Sequence, residues 1–202
     1  MTAQRRTDGS MVNLWSQNDD SRCKYRARWR LQPAAAKLAF LPVLLLKSDK
    51  RMIVMSHTVT LHRVFRAPAE RLYRAFLTAE ALAKWLPPHG FICTVHHLDT
   101  VVGGRFQMSF TNFSNGQSHS FGGEYLELTP NAQIRYTDVF DDPNLPGQMI
   151  TSITLTPVLC GTELKVVQQG IPAEIPPEMC YLGWQESLQL LALLVEAEVP
   201  SE

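Results

Sequence analysis

Disulfide and metal chemistry have little to work with in this chain. Its four cysteines, Cys23, Cys93, Cys160 and Cys180, are scattered over 202 residues without a C-x-x-C pair. That usage suits a reducing compartment and offers zinc no ligand spacing. His96 and His97 supply none either, because neighbours on a strand point to opposite faces. The G-x-S-x-G elbow, the Walker loop, the dinucleotide fingerprint and H-E-x-x-H are all missing. Hydrolase, nucleotide-binding and zinc-protease readings thereby lose their usual supports, and no catalytic constellation, metal or cofactor is expected. The apolar stretch from Lys37 to Leu46 is too short to span a bilayer. It runs into Lys47, Ser48, Asp49, Lys50 and Arg51 rather than a small-residue cleavage site, so neither a transmembrane segment nor a secretory signal is expected. The cytoplasm is the expected location.

Net charge is also absent, with 19 Lys and Arg against 19 Asp and Glu, but the zero hides an asymmetry. Through Val54 there are 11 basic and 4 acidic residues, and from Met55 onward 8 and 15, so the two parts carry +7 and −7. Such a shift marks a boundary. Residues 1–54 are expected to be a basic, poorly structured extension, with Met55 as an alternative start, and residues 55–202 the folded domain. Arg22, Lys24, Arg26, Arg28 and Arg30, interleaved with Tyr25 and Trp29, leave an anionic partner open for the extension. The acidic domain repels phosphate, which argues against nucleic acid as its partner. With 45% hydrophobic residues the chain can build a substantial core.

The domain opens on a β-branched and aromatic run, Thr58, Val59, Thr60, Val64 and Phe65, that predicts a strand ending before Pro68. Proline suits the first turn of a helix, here expected from near Ala67. Leu72, Tyr73, Phe76 and Leu77 recur at helical spacing. Thr78 is placed to cap a second short helix carrying Leu82, Trp85 and Leu86, which Pro87 and Pro88 terminate. Turn signals then divide a series of strands: Phe91 to Leu98, Arg105 to Asn112, His119 to Leu128, Ile134 to Phe140, Met149 to Pro157 and Thr162 to Gln169. Asn115-Gly116 predicts a two-residue hairpin turn, and Gly122-Gly123 a bulge or a close backbone approach. Asp99 beside Gly103-Gly104 is expected to accept turn N–H groups. From Pro176 or Pro177 to about Val199, Met179, Leu182, Leu188, Leu191 and Val195 form the apolar stripe of a long helix.

Ala67-Pro68-Ala69-Glu70, Tyr73 and Phe76, Leu82 to Trp85, Asp99 with Gly103-Gly104, Gly123-Glu124-Tyr125 and Gly183-Trp184 occur in an informative order. Through them the chain resembles the family of the activator of heat-shock-protein-90 ATPase, in the START-like or SRPBCC superfamily of ligand-binding domains. The element order by itself predicts an α+β fold. The resemblance implies its helix-grip form: a curved antiparallel sheet of six or seven strands wrapped around a long C-terminal helix, with two short helices after the first strand and a cavity between sheet and helix.

Inward strand positions and the facing helix then supply candidate ligand contacts: Trp85, Phe106, Met108, Phe110, Tyr125, Tyr136, Phe140, Ile153, Val166, Gln168, Met179, Trp184 and Leu188. Aromatic and methionine side chains offer large polarizable area to a lipophilic molecule, although each of these is also an ordinary core residue. Tyr125, Tyr136, Trp184 and Gln168 stand out because each brings a polar atom that needs a partner when buried. His89, in the loop after the two prolines, reads as a surface residue. The expected activity is binding of a small lipophilic molecule. The alternatives are regulation of a chaperone ATPase through a surface contact, which the family name implies, and cyclase, aromatase or hydrolase-like catalysis on a cavity-bound substrate, which the superfamily implies. A homodimer is left open.

Overall fold

The structure is a computed structural model that describes residues 56–198. The expected basic extension and the apolar stretch at 37–46 lie outside the described residues. The chain runs β1 (His57–Phe65), α1 (Ala69–Leu77), α2 (Ala79–Trp85), β2 (Phe91–Leu98), β3 (Arg105–Asn112), β4 (Ser118–Thr129), β5 (Gln133–Phe140), β6 (Met149–Val158), β7 (Gly161–Ile171) and α3 (Pro177–Val195). The strands form one curved seven-stranded sheet in the order β1-β7-β6-β5-β4-β3-β2. Every neighbouring pair is antiparallel, as the short connections from β2 through β7 require, and β1 pairs antiparallel with β7 across the length of the domain. The sheet does not close, since β1 and β2 form its two edges. This is the α+β fold that the element order predicts, in the helix-grip form that the resemblance implies.

Alternation along the strands separates the two faces. Leu61, Val166, Ile153, Ile134 and Leu128 lie side by side across β1, β7, β6, β5 and β4, and the middle three are almost wholly buried. Full burial of such a side chain contributes roughly 1.5–3 kcal/mol, so this row is a large share of the core. α3 covers the sheet with Trp184, Ser187, Leu188, Leu191, Ala192 and Val195 and packs on β1 and both short helices. Its buried stripe differs from the predicted one at Leu182, which is 50% exposed. At 3.6 residues per turn Leu182 lies about 200° round the helix from Trp184, which is the residue that faces the sheet. A helix apolar on most sides does not reveal its inner face by hydropathy alone.

Both ends of the helical layer are pinned by polar contacts. Ser187 Oγ donates to the Leu86 carbonyl at 2.7 Å, and His89 N–H donates to Glu186 Oε2 at 3.0 Å, which fixes the loop after α2 against α3. α3 has no basic residue in its last turn; Arg71 of α1 donates to the Val195 carbonyl at 2.8 Å and satisfies one of the orphan C-terminal acceptors. Thr162 Oγ1 donates to the Ala67 carbonyl at 2.8 Å, anchoring the β1–α1 corner on β7.

Three local expectations need correction. Thr78 occupies the N-cap position of α2 but makes no cap bond; its hydroxyl donates to the Arg74 carbonyl at 2.8 Å, because a single residue separates the helices and the last turn of α1 also lacks partners. The predicted two-residue turn is a longer loop, residues 113–117. Asn112 and Asn115 accept backbone N–H groups two residues on, from Ser114 and Gln117, and Gly116 takes a φ of 72°. Asp99 makes no side-chain hydrogen bond to the following turn, where Gly104 N–H instead donates to the Val101 carbonyl at 2.9 Å. Gly104 is needed for space, since a Cβ there would meet the Asp99 carbonyl. The glycine pair in β4 is the predicted close approach, with Gly122 against the Phe106 carbonyl and Gly123 against the Thr137 carbonyl.

Candidate functional site

A polar row crosses the concave face of the sheet. Gln168 of β7, Thr151 of β6, Tyr136 of β5 and Tyr125 of β4 are successive register partners, one per strand, and Val59 of β1 completes the line. Three of the four are buried and Tyr136 is half-buried. At one end the row is satisfied: Trp184 of α3 donates its indole N–H to Gln168 Oε1 at 3.0 Å, and Gln168 Nε2 contacts Met149 Sδ at 3.6 Å. In the middle it is not. Thr151 is wholly buried; among the described residues its hydroxyl forms no hydrogen bond of full geometry, and a looser one with the Tyr136 phenol offsets part of that group's upward pKa shift.

Asp138 lies two residues beyond Tyr136 on the same strand face, opposite Met149. It is half-buried as a residue, yet its Oδ1 is sealed from solvent and has no partner. Desolvation pushes its carboxyl up to about 7, with a backbone contact from Val139 opposing in part. Burial likewise raises the Tyr136 phenol, with the nearby Asp138 and Tyr125 adding to the shift. Tyr125 is raised first by burial and then by Tyr73 of α1. A buried unsatisfied polar atom costs about 1–3 kcal/mol, so Thr151 and Asp138 together are an expensive feature of an otherwise apolar interior.

Aromatic side chains surround these groups. Phe106 lies 5.6 Å from both Tyr125 and Tyr136, and the two tyrosines are 6.2 Å apart, ring centre to ring centre. Phe110 packs edge-on to Phe121 at 4.8 Å, and Phe121 is the register partner of Phe140. Met108 is buried beside them, opposite Phe121. Gly123 presents no side chain on this face, and the Phe106 ring approaches the space a Cβ would fill.

The predicted contacts therefore divide. Phe106, Met108, Phe110, Tyr125, Tyr136, Phe140 and Gln168 share the concave face with the polar row, and Trp184 of α3 reaches it through Gln168. Ile153 and Val166 belong to the fully buried apolar row beneath it, and Leu188 is buried in the α3 stripe. Met179 is half-buried in the first turn of α3. Trp85 is wholly buried in the helix pair, 4.6 Å from Phe76 and donating its indole N–H to the Ala75 carbonyl at 2.9 Å. Asp138 and Thr151 are absent from the sequence-derived set. Asp138 is in phase with Ile134, Tyr136 and Phe140, so strand alternation was a usable signal for it. Thr151 is likewise in phase with Ile153, and the register places it beside Tyr136 and Gln168.

Other chemistry is not assembled. Among the described residues no cluster of histidine, cysteine and carboxylate side chains is placed to hold a metal ion. Burial raises the thiols of Cys93 and Cys180 to about 11, which leaves both protonated at neutral pH. An open surface depression of about 540 Å³ lies at the β1–α1 corner, lined by Arg66, Pro68, Cys160 and Gly161 among others, and includes none of the predicted contacts. Among the described residues no helix is long and apolar enough to cross a membrane.

An open antiparallel sheet gripping a C-terminal helix, with an aromatic and partly polar concave face, defines a START-like domain. The chain belongs to the family described as Activator of Hsp90 ATPase homolog 1-like protein, which matches residues 66–196. A crystal structure of a protein from Chromobacterium violaceum is 62% identical, covers 70% of this chain and 98% of that one, and superposes with a TM-score of 0.69. A Mesorhizobium loti protein is 26% identical over 71% of this chain and 100% of that one, with a TM-score of 0.56. A Rhodobacter sphaeroides protein at 20% identity, covering 68% and 90%, shares the fold with a TM-score of 0.61. No curated protein matches the chain.

Proposed function

We propose that the domain, residues 55–202, is a cytoplasmic binding module for a small lipophilic molecule held between the concave sheet face and α3. One observation carries this reading: Thr151 and Asp138 hold unpartnered buried polar atoms in the middle of an aromatic surface. A purely structural core gains from replacing such groups with apolar ones, whereas a ligand with a polar end would complete them. Phe106, Phe110, Tyr125, Tyr136 and Phe140 supply the apolar contact, and the Trp184–Gln168 bond keeps α3 in register over the site. No step of catalysis is assigned.

The test is native mass spectrometry of the full chain purified from its own cells, with the released small molecule identified after denaturation. A stoichiometric lipophilic passenger that is lost from a folded Phe110→Arg variant is the expected result. A passenger retained unchanged by that variant would move the site off the concave face.

A further inference from the structure

We infer that the molecule bound on the concave face carries a primary amine, seated as an ammonium against Asp138, Thr151 and Tyr136. This rests on the binding reading above and adds the chemical class of the ligand. The polar groups left without partners at the centre of the face are a carboxyl oxygen and a threonine hydroxyl, with the Tyr136 phenol beside them. All three accept hydrogen bonds. An ammonium has three donors and no acceptor, so it matches acceptors of this kind, and its bond to the carboxylate is charge-assisted.

The charges around the site point the same way. The concave positions of β4 to β7 near Asp138 are Phe121, Gly123 and Tyr125, then Ile134, Tyr136 and Phe140, then Met149, Thr151 and Ile153, then Val166 and Gln168. None is lysine or arginine. His119 lies further along β4, opposite Phe110 on β3, with its own buried Nε2 unpartnered. Desolvation is the main influence on Asp138, and among the described residues no cation opposes it. A ligand ending in a carboxylate or phosphate would place a second negative charge beside it, which a low-dielectric interior penalises. A lipophilic cation supplies the missing partner. Gly123, across from Asp138 on β4, sets no side chain of its own beside the carboxyl.

The experiment titrates the full chain at pH 7.5 with octylamine, octanol and octanoate, three probes that share a tail and differ in the head, with binding read by calorimetry. Octylamine is expected to bind at least about tenfold more tightly than octanol, the scale of one charge-assisted bond, and octanoate more weakly than octanol. Asp138→Asn, nearly isosteric and checked for folding by circular dichroism, should weaken octylamine by at least about tenfold more than it weakens octanol. Thr151→Val provides a second variant, expected to weaken octylamine more than octanol. Octanoate binding most tightly, or octylamine binding undiminished in both variants, overturns the amine assignment while leaving a lipophilic site intact. Failure of all three probes to bind overturns both.

Discussion

Trp184 on the C-terminal helix and Gln168 on β7 are joined by a 3.0 Å hydrogen bond from indole N–H to amide oxygen, inside an interior that excludes water. Both side chains are more than nine-tenths buried, so the bond sets where α3 sits along the sheet as well as how strongly. Gln168→Leu leaves the indole N–H without an acceptor and is expected to cost about 1–3 kcal/mol in urea unfolding. Trp184→Ala removes the packing too and should cost about 3–5 kcal/mol. A loss below about 1 kcal/mol for Trp184→Ala would show that the indole is not packed as described.

Asp138 gives the fold a pH dependence of unusual sign for a carboxylate. Its folded value of about 7 lies above the ordinary value of 3.8, so the folded state binds more protons than the unfolded state between the two. Stability from this group is complete below pH 4, declines as pH rises, and is gone above about pH 7. The gap between the two values sets an upper bound of about 4 kcal/mol on the contribution. Asp138→Asn should flatten the stability profile across this window and make the protein more stable than wild type at pH 8. A wild-type profile that rises from pH 4 to 7 and is not altered by the substitution would refute the burial of this carboxyl.

Gly123→Ala is expected to destabilise the domain by at least about 2 kcal/mol, because the added Cβ would overlap the Thr137 carbonyl on β5, a backbone atom that cannot move without disturbing the ladder. Gly116→Ala probes a different cost, since there a Cβ meets nothing and only the φ of 72° resists it. That loss should be smaller, about 1 kcal/mol. Thermal unfolding of the two variants side by side distinguishes steric overlap from backbone strain.

Trp85→Phe keeps most of the aromatic volume between α1 and α2 but leaves the Ala75 carbonyl unpaired. The expected cost is about 1–3 kcal/mol, with octanol affinity unchanged, because Trp85 holds the helices rather than the concave face. An equal loss of octanol binding would place Trp85 in the site.

Much of the candidate site was readable from the sequence wherever alternation was regular. Phe106, Met108 and Phe110 on β3, and Tyr136 with Phe140 on β5, face inward as the period of two requires. The same rule points to Asp138, but an acidic residue in a predicted strand is ordinarily assigned to solvent, and only burial shows it facing the interior. Thr151 is in phase with the inward Ile153, but threonine is common in strands on either face, so its residue type adds no signal. Leu182 failed in the opposite direction, being apolar yet outside the buried stripe of a helix that is apolar on most sides.

The sequence by itself determined the element order, the antiparallel character of the sheet and the apolar identity of its inner face. These follow from local constraints: proline geometry, short turns and the pleat. It could not determine that Gln168, Thr151, Tyr136 and Tyr125 stand in one row, because that alignment depends on register between strands distant in the chain, including a shift between Tyr125 and Glu127. Nor could it determine which hydroxyls and carboxyls go unpaired, since satisfaction of a buried polar atom depends on every neighbour that folding brings to it.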